Sequence, residues 1–419
     1  MLRRWSFITQ QPEFAKLWTG HIISVFGSAI TTVALPLTAV IVLHATAFEM
    51  SALTAVGVLP PLLFGLIAGV WIDRLPRRPI LIISDVGRAL LLGSIPLLAA
   101  VGQLRIEYLY GVTFLAGLLS FLFNIGTTSF TPSVVGRENL MQANSATTLN
   151  VSMGSTVGPA IAGGLVQLLT APAAILFDAI SFVASAFCTV LVKIPANAQP
   201  SAARRGRIRL GPEIVEGLRY LFTGRYLSPI AVSATIGAAF GAMQVGIYIL
   251  FMVRDLHLTP ALVGFAVTAT GIASLVGALL APTFGAKFGP GPTYIAGQLF
   301  ASLAGVALAA AQGPAIAIAV FLIISRLLSG LGPSFYSISQ TTIRQSVVPD
   351  HVLGRVNSSW QFVVIGVQPL GALAGGALAT GIGLRATIAL SSVGMLLGLG
   401  WAARSPLRFL RQLPDQSPT

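Results

Sequence analysis

Arg326 stands in the middle of an apolar stretch, Pro314 to Ser337, that is long enough to cross a bilayer. It lies about 12 residues, or about 18 Å of helix, beyond the start of that stretch. A cation at such depth is costly in hydrocarbon and is tolerated where it faces a bundle interior or a water-filled path. Arginine does not release its proton, so its chemistry there is to bind an anion or to act electrostatically on a nearby acid. The alternative is a structural arginine satisfied by backbone carbonyls. Asp85 and Asp178 are the acids inside apolar segments. Asp85 precedes Arg88 by three residues, so the two can pair on one helical face. Asp178 is the proton-carrier candidate, with helix packing as the other role open to it.

A second group of polar residues suits the wall of a substrate path: Thr31, Thr32, Asn124, Thr128, Gln244, Tyr248 and Tyr336. Asn124 and Thr128 are four apart, as are Gln244 and Tyr248, so each pair shares a helix face. Few polar anchors among aliphatic and aromatic walls fit a large amphipathic ligand. The same residue types also hydrogen-bond between helices for stability. Enzyme chemistry has no comparable support. No Ser/His/Asp grouping is evident, and the four histidines have no ligand spacing. Cys188 is the only cysteine, which rules out an intramolecular disulfide and a cysteine metal cluster. The G-x-x-x-x-G-K-[ST] loop of direct ATP users is absent. No cofactor or metal is expected.

The elements that must position these residues are membrane helices. The chain is 55% hydrophobic and only 9% charged, with a mean hydropathy of +0.85. Apolar runs recur along its whole length and lack the period-two alternation of a membrane barrel. The runs predict twelve spans at about 14–43, 50–72, 79–101, 107–131, 142–169, 172–193, 226–253, 260–285, 290–311, 314–340, 352–380 and 383–403. The net charge of +13 is placed asymmetrically. Even-numbered turns hold Arg74, Arg77, Arg78, Arg137, Lys193, the Arg204–Arg209 cluster and Lys287; odd-numbered turns hold only Arg105, Arg254 and Arg385. That is the positive-inside pattern, so both termini are expected in the cytoplasm of a multi-pass inner-membrane protein. The charge reports topology and membrane lipid contact rather than a nucleic-acid partner.

An internal repeat orders the spans. Ser133-Val134-Val135 returns as Ser346-Val347-Val348, Asn144-Ser145 as Asn357-Ser358, and Gly158 and Gly163 as Gly371 and Gly376, all at an offset of 213 without a gap. The expected architecture is all-α: a six-helix bundle over 1–193, a linker over 194–225, a second six-helix bundle over 226–403 and a tail over 404–419. Within the linker, Ile214, Leu218 and Leu221 fall opposite Glu213 and Glu216, which predicts a short amphipathic helix on the membrane surface. Parallel repeats place a ligand site between the halves near the midplane. Nothing requires an oligomer, and a monomer is the expected state.

Gly69-Val70-Trp71-Ile72-Asp73-Arg74-Leu75-Pro76-Arg77-Arg78 resembles the loop between helices 2 and 3 of the major facilitator superfamily, G-x-x-x-D-R-x-G-R-R, with Pro76 in place of a glycine. The resemblance implies a cytoplasmic gate built from Gly69, Asp73, Arg74, Arg77 and Arg78, with Asp73 capping a neighbouring helix. Gly154-Ser155-Thr156-Val157-Gly158-Pro159-Ala160-Ile161-Ala162-Gly163 resembles the antiporter motif of the family's exporters. Gly154, Gly158, Pro159 and Gly163 would set close contact and a bend there. Phe14 to Ser24, Asp85 with Arg88, Phe177 to Phe182 and Glu216 to Leu221 are similar to the bacterial effluxer group of macrolide and enterobactin exporters. The resemblance implies secondary active export of a small amphipathic molecule by alternating access with protons as the coupling ion. A uniporter, an importer or a non-transporting receptor on the same fold are the alternatives. Drug exporters of the superfamily often carry an arginine in helix 4. Here that position is Thr113, and the 213 offset takes it to Arg326.

Overall fold

A computed structural model describes residues 10–72, 77–136, 139–193 and 210–413. All regular structure among the described residues is helical. The first six membrane helices are α1 Pro12–Leu37, α2 Ala47–Ile72, α3 Arg77–Ala100, α4 Ile106–Val135, α5 Leu140–Leu168 and α6 Ala171–Leu191. The linker forms α7, Leu210–Thr223. The second set is α8 Leu227–Arg254, α9 Pro260–Phe288, α10 Pro290–Ala309, α11 Ala315–Val347, α12 Asp350–Gly366, α13 Gln368–Ile382 and α14 Leu384–Arg404.

Among the described residues, eleven segments are long and apolar enough to cross a membrane. The exception is α5, rich in Asn, Gln, Ser and Thr, which still extends for 29 residues. Its inward face is made of small residues and Asn150, while Gln142, Asn144, Thr148 and Ser155 are exposed. Asn150 of α5 donates to the Trp18 carbonyl of α1 at 3.4 Å, and Trp18 Nε1 donates to the Ala146 carbonyl at 3.3 Å. Leu149, Met153, Val157 and Ile161 face outward. In hydrocarbon such bonds are the condition for tolerating polar side chains. The eleventh expected span, 352–380, is divided at Val367 into α12 and α13. Pro369 supplies no N–H, so the ladder of hydrogen bonds cannot run through it.

The repeat is reproduced in backbone detail. His44 and His257 are the two described non-glycine residues with positive φ, at 51° and 52°, and they are related by the 213 offset. The turn around each makes the same bonds: Ala45 N–H to Ala39 O, and Leu258 N–H to Met252 O. Left-handed backbone is unusual for histidine, so its recurrence marks a common turn design, not coincidence.

The helices gather into two compact units. Unit 1 is Met1–Ala45, Val56–Gly206 and Thr259–Thr268, and unit 2 is Thr46–Ala55, Arg207–Leu258 and Ala269–Thr419. Each therefore includes the first turns of a helix from the other repeat. In unit 1, Gly163 of α5 lies against Gly264 of α9; in unit 2, Ser51 of α2 lies against Gly246 and Gly376.

The linker helix α7 is tied to α12. Leu221 is fully buried with Val352, Val356 and Trp360. Gly217 lets α7 approach the Arg355 carbonyl and Ser359 of α12, and Arg355 Nη1 pairs with Glu216 Oε2 at 2.6 Å. That ion pair is more than a third exposed on both sides, so Glu216→Ala should lower stability by only ~0.2–1 kcal/mol. Gly217→Val should cost more, because a Cβ there would sit 2.5 Å from the Arg355 carbonyl, backbone that cannot yield. Thermal unfolding of the two variants in detergent checks the order, and an equal loss would remove the close-approach argument.

Candidate functional site

Asp178 is 1% exposed and lies one turn before Phe182 in α6. Thr31 of α1 donates its hydroxyl to Asp178 Oδ2 at 2.5 Å, and Ser181 donates to Oδ1 at 3.1 Å. Room for this carboxyl comes from Gly27: a Cβ there would sit 2.5 Å from Asp178 Oδ1 and on top of the Ser181 hydroxyl. Close by in the same unit, Arg88 of α3 pairs with Asp85 as the sequence spacing predicts. Its guanidinium also lies over the rings of Phe182 and Phe123, at 4.0 and 4.5 Å, and donates to Ser120 at 3.3 Å. The charge of Arg88 acts on Asp178 as well as on Asp85. Arg88 is thus paired with Asp85, and the Asp178 carboxyl is held by hydroxyls.

The second repeat builds the same helix contact without acid. The 213 offset carries Thr31 to Gln244 and Asp178 to Ser391, next to Ser392. Gln244 Nε2 donates to Ser392 Oγ at 3.0 Å, linking α8 to α14 as Thr31 links α1 to α6. Asp85 maps to Gln298, which is buried and donates to the Tyr294 hydroxyl at 3.0 Å. The small residue changes sides too: Gly394 of α14 lies against the ring of Phe240, the counterpart of Gly27. Neutral polar pairs are sufficient to join these helices, so the carboxyl of Asp178 is not required for the joint itself.

Arg326 is the twelfth residue of α11 and 8% exposed. Its Nη2 donates to the Ser325 hydroxyl at 2.8 Å, and its guanidinium lies 4.3 Å from the centroid of the Tyr248 ring in α8. Its Nε is buried without a hydrogen-bond partner. Arg385 shows what a structurally satisfied arginine looks like in this protein. It donates to the Ala309 and Ala311 carbonyls at 2.6 and 2.8 Å, neutralising the exposed end of α10. Arg326 has no such carbonyl and no carboxylate among the described residues. A guanidinium left in this state is costly unless an anion completes it.

Thr32 is exposed and donates to the Ser28 carbonyl, and Thr128, also exposed, donates to that of Asn124. Asn124 is exposed. Gln244 is turned into the α8–α14 joint described above. Tyr336 packs edge-on against Tyr294 with centroids 6.5 Å apart. Of the gate residues, Asp73 and Arg74 lie outside the described residues, as does the Arg204–Arg207 cluster, and Gly69 belongs to the last turns of α2. Arg77 donates to the Ser129 carbonyl at 2.7 Å and Arg78 to that of Val190, which pins the start of α3 to the ends of α4 and α6. In the α5 motif, Gly154 and Gly158 lie against Val25 and Ala29 of α1, while Gly163 meets α9. Pro159 sits within a continuous helix.

Gly27 and Ser181 had no distinguishing signal of their own. The spacing of Ser181 three residues after Asp178 is the one clue that linear sequence offered.

The sequence signature of the transmembrane secretion effector family matches residues 4–418. Over 380 residues the chain is 27% identical to the multidrug efflux pump Tap of Mycolicibacterium fortuitum, covering 88% of this chain and 90% of that protein. Over 420 residues it is 26% identical to the enterobactin exporter EntS of Escherichia coli O127:H6, covering 98% and 96%. Its fold is shared with the nucleoside transporter NupG, at a TM-score of 0.76 and 13% identity over 93% of this chain and 98% of that one. A bacterial homologue of the iron transporter ferroportin gives 0.75 at 17% identity, over 94% and 99%. These relatives are membrane transporters and not enzymes. The chain belongs to the transmembrane secretion effector family, and it is a multi-pass membrane transporter with the major facilitator fold.

Proposed function

We propose that this transporter is a secondary active exporter of a small amphipathic molecule bearing an anionic group, driven by protons across the cytoplasmic membrane, with both termini in the cytoplasm. Drug-like, macrolide-like and siderophore-like cargo fall within the reading, and the anionic members are preferred. The observation that carries it is Arg326: a buried cation with an aromatic face beside it and, among the described residues, no carboxylate and no backbone carbonyl as partner. Cargo that brings its own anion supplies the missing partner. Arginine cannot release a proton, so the coupling role passes to a carboxyl. The burial of Asp178 between Thr31, Ser181 and Gly27 supports assigning that role to it. Alternating access would carry the cargo past the midplane while the acid loads and unloads. The exporting relatives support the direction, and the α5 motif agrees with it.

The test is a cellular export screen in a pump-deficient host, comparing anionic aryl carboxylates and siderophores with cationic macrolides, with and without an uncoupler. Arg326→Ala should reduce uncoupler-sensitive export of the anionic cargo by about tenfold or more, equivalent to at least ~1.4 kcal/mol, at normal membrane abundance. Equal export at equal abundance would return Arg326 to a structural role.

A further inference from the structure

Helix α11 carries a second arginine of the same kind. Arg344 lies eighteen residues beyond Arg326, which is five full turns, so the two occupy one face of the helix about 27 Å apart. Arg344 is in the last turn of α11, where a cation ordinarily serves the helix end or anchors topology. Such an anchor places its donors on carbonyls or in water. Here Nε and Nη1 are both sealed from solvent and bonded to nothing, although the residue as a whole is only half-buried. Its guanidinium lies 4.8 Å from the centroid of the Trp360 ring in α12. No acidic side chain among the described residues pairs with it.

Two unpartnered acceptors accompany these donors. Gln340 is one turn before Arg344 on the same face of α11, and its Oε1 is buried without a donor. Asn357 is one turn before Trp360 on α12, and its Oδ1 is in the same state. Trp360 belongs to a buried apolar cluster with Ile343, Val348, Val352 and Val356. Buried polar atoms are nearly always partnered, so two orphaned guanidinium nitrogens, with an orphaned amide oxygen on each of α11 and α12, point to a place where a ligand fits. The chemistry of that ligand follows from the donors and acceptors. It offers an oxyanion to the guanidinium, a flat apolar face to Trp360 and hydroxyl donors to the two amides.

We propose that Arg344, Trp360, Gln340 and Asn357 form a second anion site at the end of α11, taking a hydroxylated aromatic carboxylate and serving as the loading station for cargo that Arg326 then receives. The loading role rests on the export reading above; the site itself does not.

The experiment uses the full-length protein in neutral detergent, with 4-hydroxybenzoate as probe and quenching of tryptophan fluorescence as readout. The chain has five tryptophans, so the signal is taken as the part lost in a Trp360→Phe variant. The carboxylate should quench Trp360, the neutral 4-hydroxybenzamide should not, and benzoate should bind more weakly for want of the hydroxyl. Arg344→Gln should weaken the 4-hydroxybenzoate response tenfold or more, and Arg344→Lys less. Should Arg344→Gln fail to fold, the double variant Gln340→Ala/Asn357→Ala should bring 4-hydroxybenzoate down to the affinity of benzoate. Absence of quenching in the parent protein, equal binding of the amide, or an unchanged response in Arg344→Gln would overturn the proposal. A Trp360 response confined to nanodiscs containing phosphatidylglycerol, with none to 4-hydroxybenzoate, would assign the site to a lipid headgroup and overturn the cargo role. The readout is equilibrium binding. A protein that binds 4-hydroxybenzoate at Arg344 and exports nothing would overturn the export reading alone.

Discussion

Asp178→Asn should leave a folded, membrane-inserted protein in which export driven by an imposed pH gradient falls to background, a loss of about tenfold or more, each tenfold being ~1.4 kcal/mol. Asparagine keeps one oxygen to accept from one of the Thr31 and Ser181 hydroxyls and presents an N–H to the other, which can turn to accept it, so the joint between α1 and α6 keeps its partners. The second repeat holds the equivalent joint with Gln244 and Ser392, without any charge. What asparagine cannot do is take and release a proton. The expected phenotype is therefore a split: gradient-driven export lost, and cargo-for-cargo exchange across proteoliposomes retained, since exchange needs the cargo site but no proton. Reconstituted transport under an inside-acid or outside-acid gradient measures both halves. A variant that keeps the parent's pH dependence would remove Asp178 from coupling. One that loses exchange and drive together would make it a packing residue. Gly27→Ala provides an independent approach to the same carboxyl, because the added methyl would meet it at 2.5 Å.

Much of this arrangement was visible in the linear chain, and the reasons are physical. Hydrophobic run length gave the membrane helices, because a bilayer demands about twenty apolar residues and tolerates few exceptions. The 213 offset was legible in matching residues, and the structure extends it to His44 and His257, whose left-handed turns repeat although no sequence pattern marks them. The Asp85–Arg88 pair followed from its spacing. Other features depend on which helix faces which, and spacing along one helix is silent on that. Thr31 reads as a polar residue on a path, yet its hydroxyl goes to an acid 147 residues away. Gln244 and Tyr248 share a face by spacing, but Gln244 reaches α14 and Tyr248 lies beneath Arg326. The division at Val367 was concealed because apolar composition continues across it. Arg344 went unnoticed for the opposite reason: a basic residue at a helix end is expected, and only its sealed, unbonded nitrogens set it apart.

The contact between α5 and α9 should tolerate no added side chain. Gly163 and Gly264 face each other backbone to backbone. A Cβ on Gly163 would lie 2.6 Å from the Pro260 carbonyl and 2.9 Å from Gly264 Cα. One on Gly264 would lie 2.8 Å from Gly163 Cα and against the Pro159 carbonyl. Side chains can rotate away from an intruder; these atoms cannot without moving a helix, and overpacking of this kind costs ~1–3 kcal/mol or more. Gly164, the next residue, has open space around its Cβ position. Gly163→Val and Gly164→Val therefore insert the same side chain into the same helix with the same change in intrinsic helix preference. They differ only in what the side chain meets. Gly163→Val should abolish export, and Gly264→Val should do the same from the other side, whereas Gly164→Val should export at close to the parent rate. An alternating-access cycle must part and remake the contacts by which each repeat lends a helix end to the other unit. A wedge at Gly163 would hold this one apart. Export assays normalised to membrane abundance, with thermal unfolding in detergent alongside, measure the difference. Equal export by Gly163→Val and Gly164→Val would mean that the closeness of α5 to α9 has no part in transport.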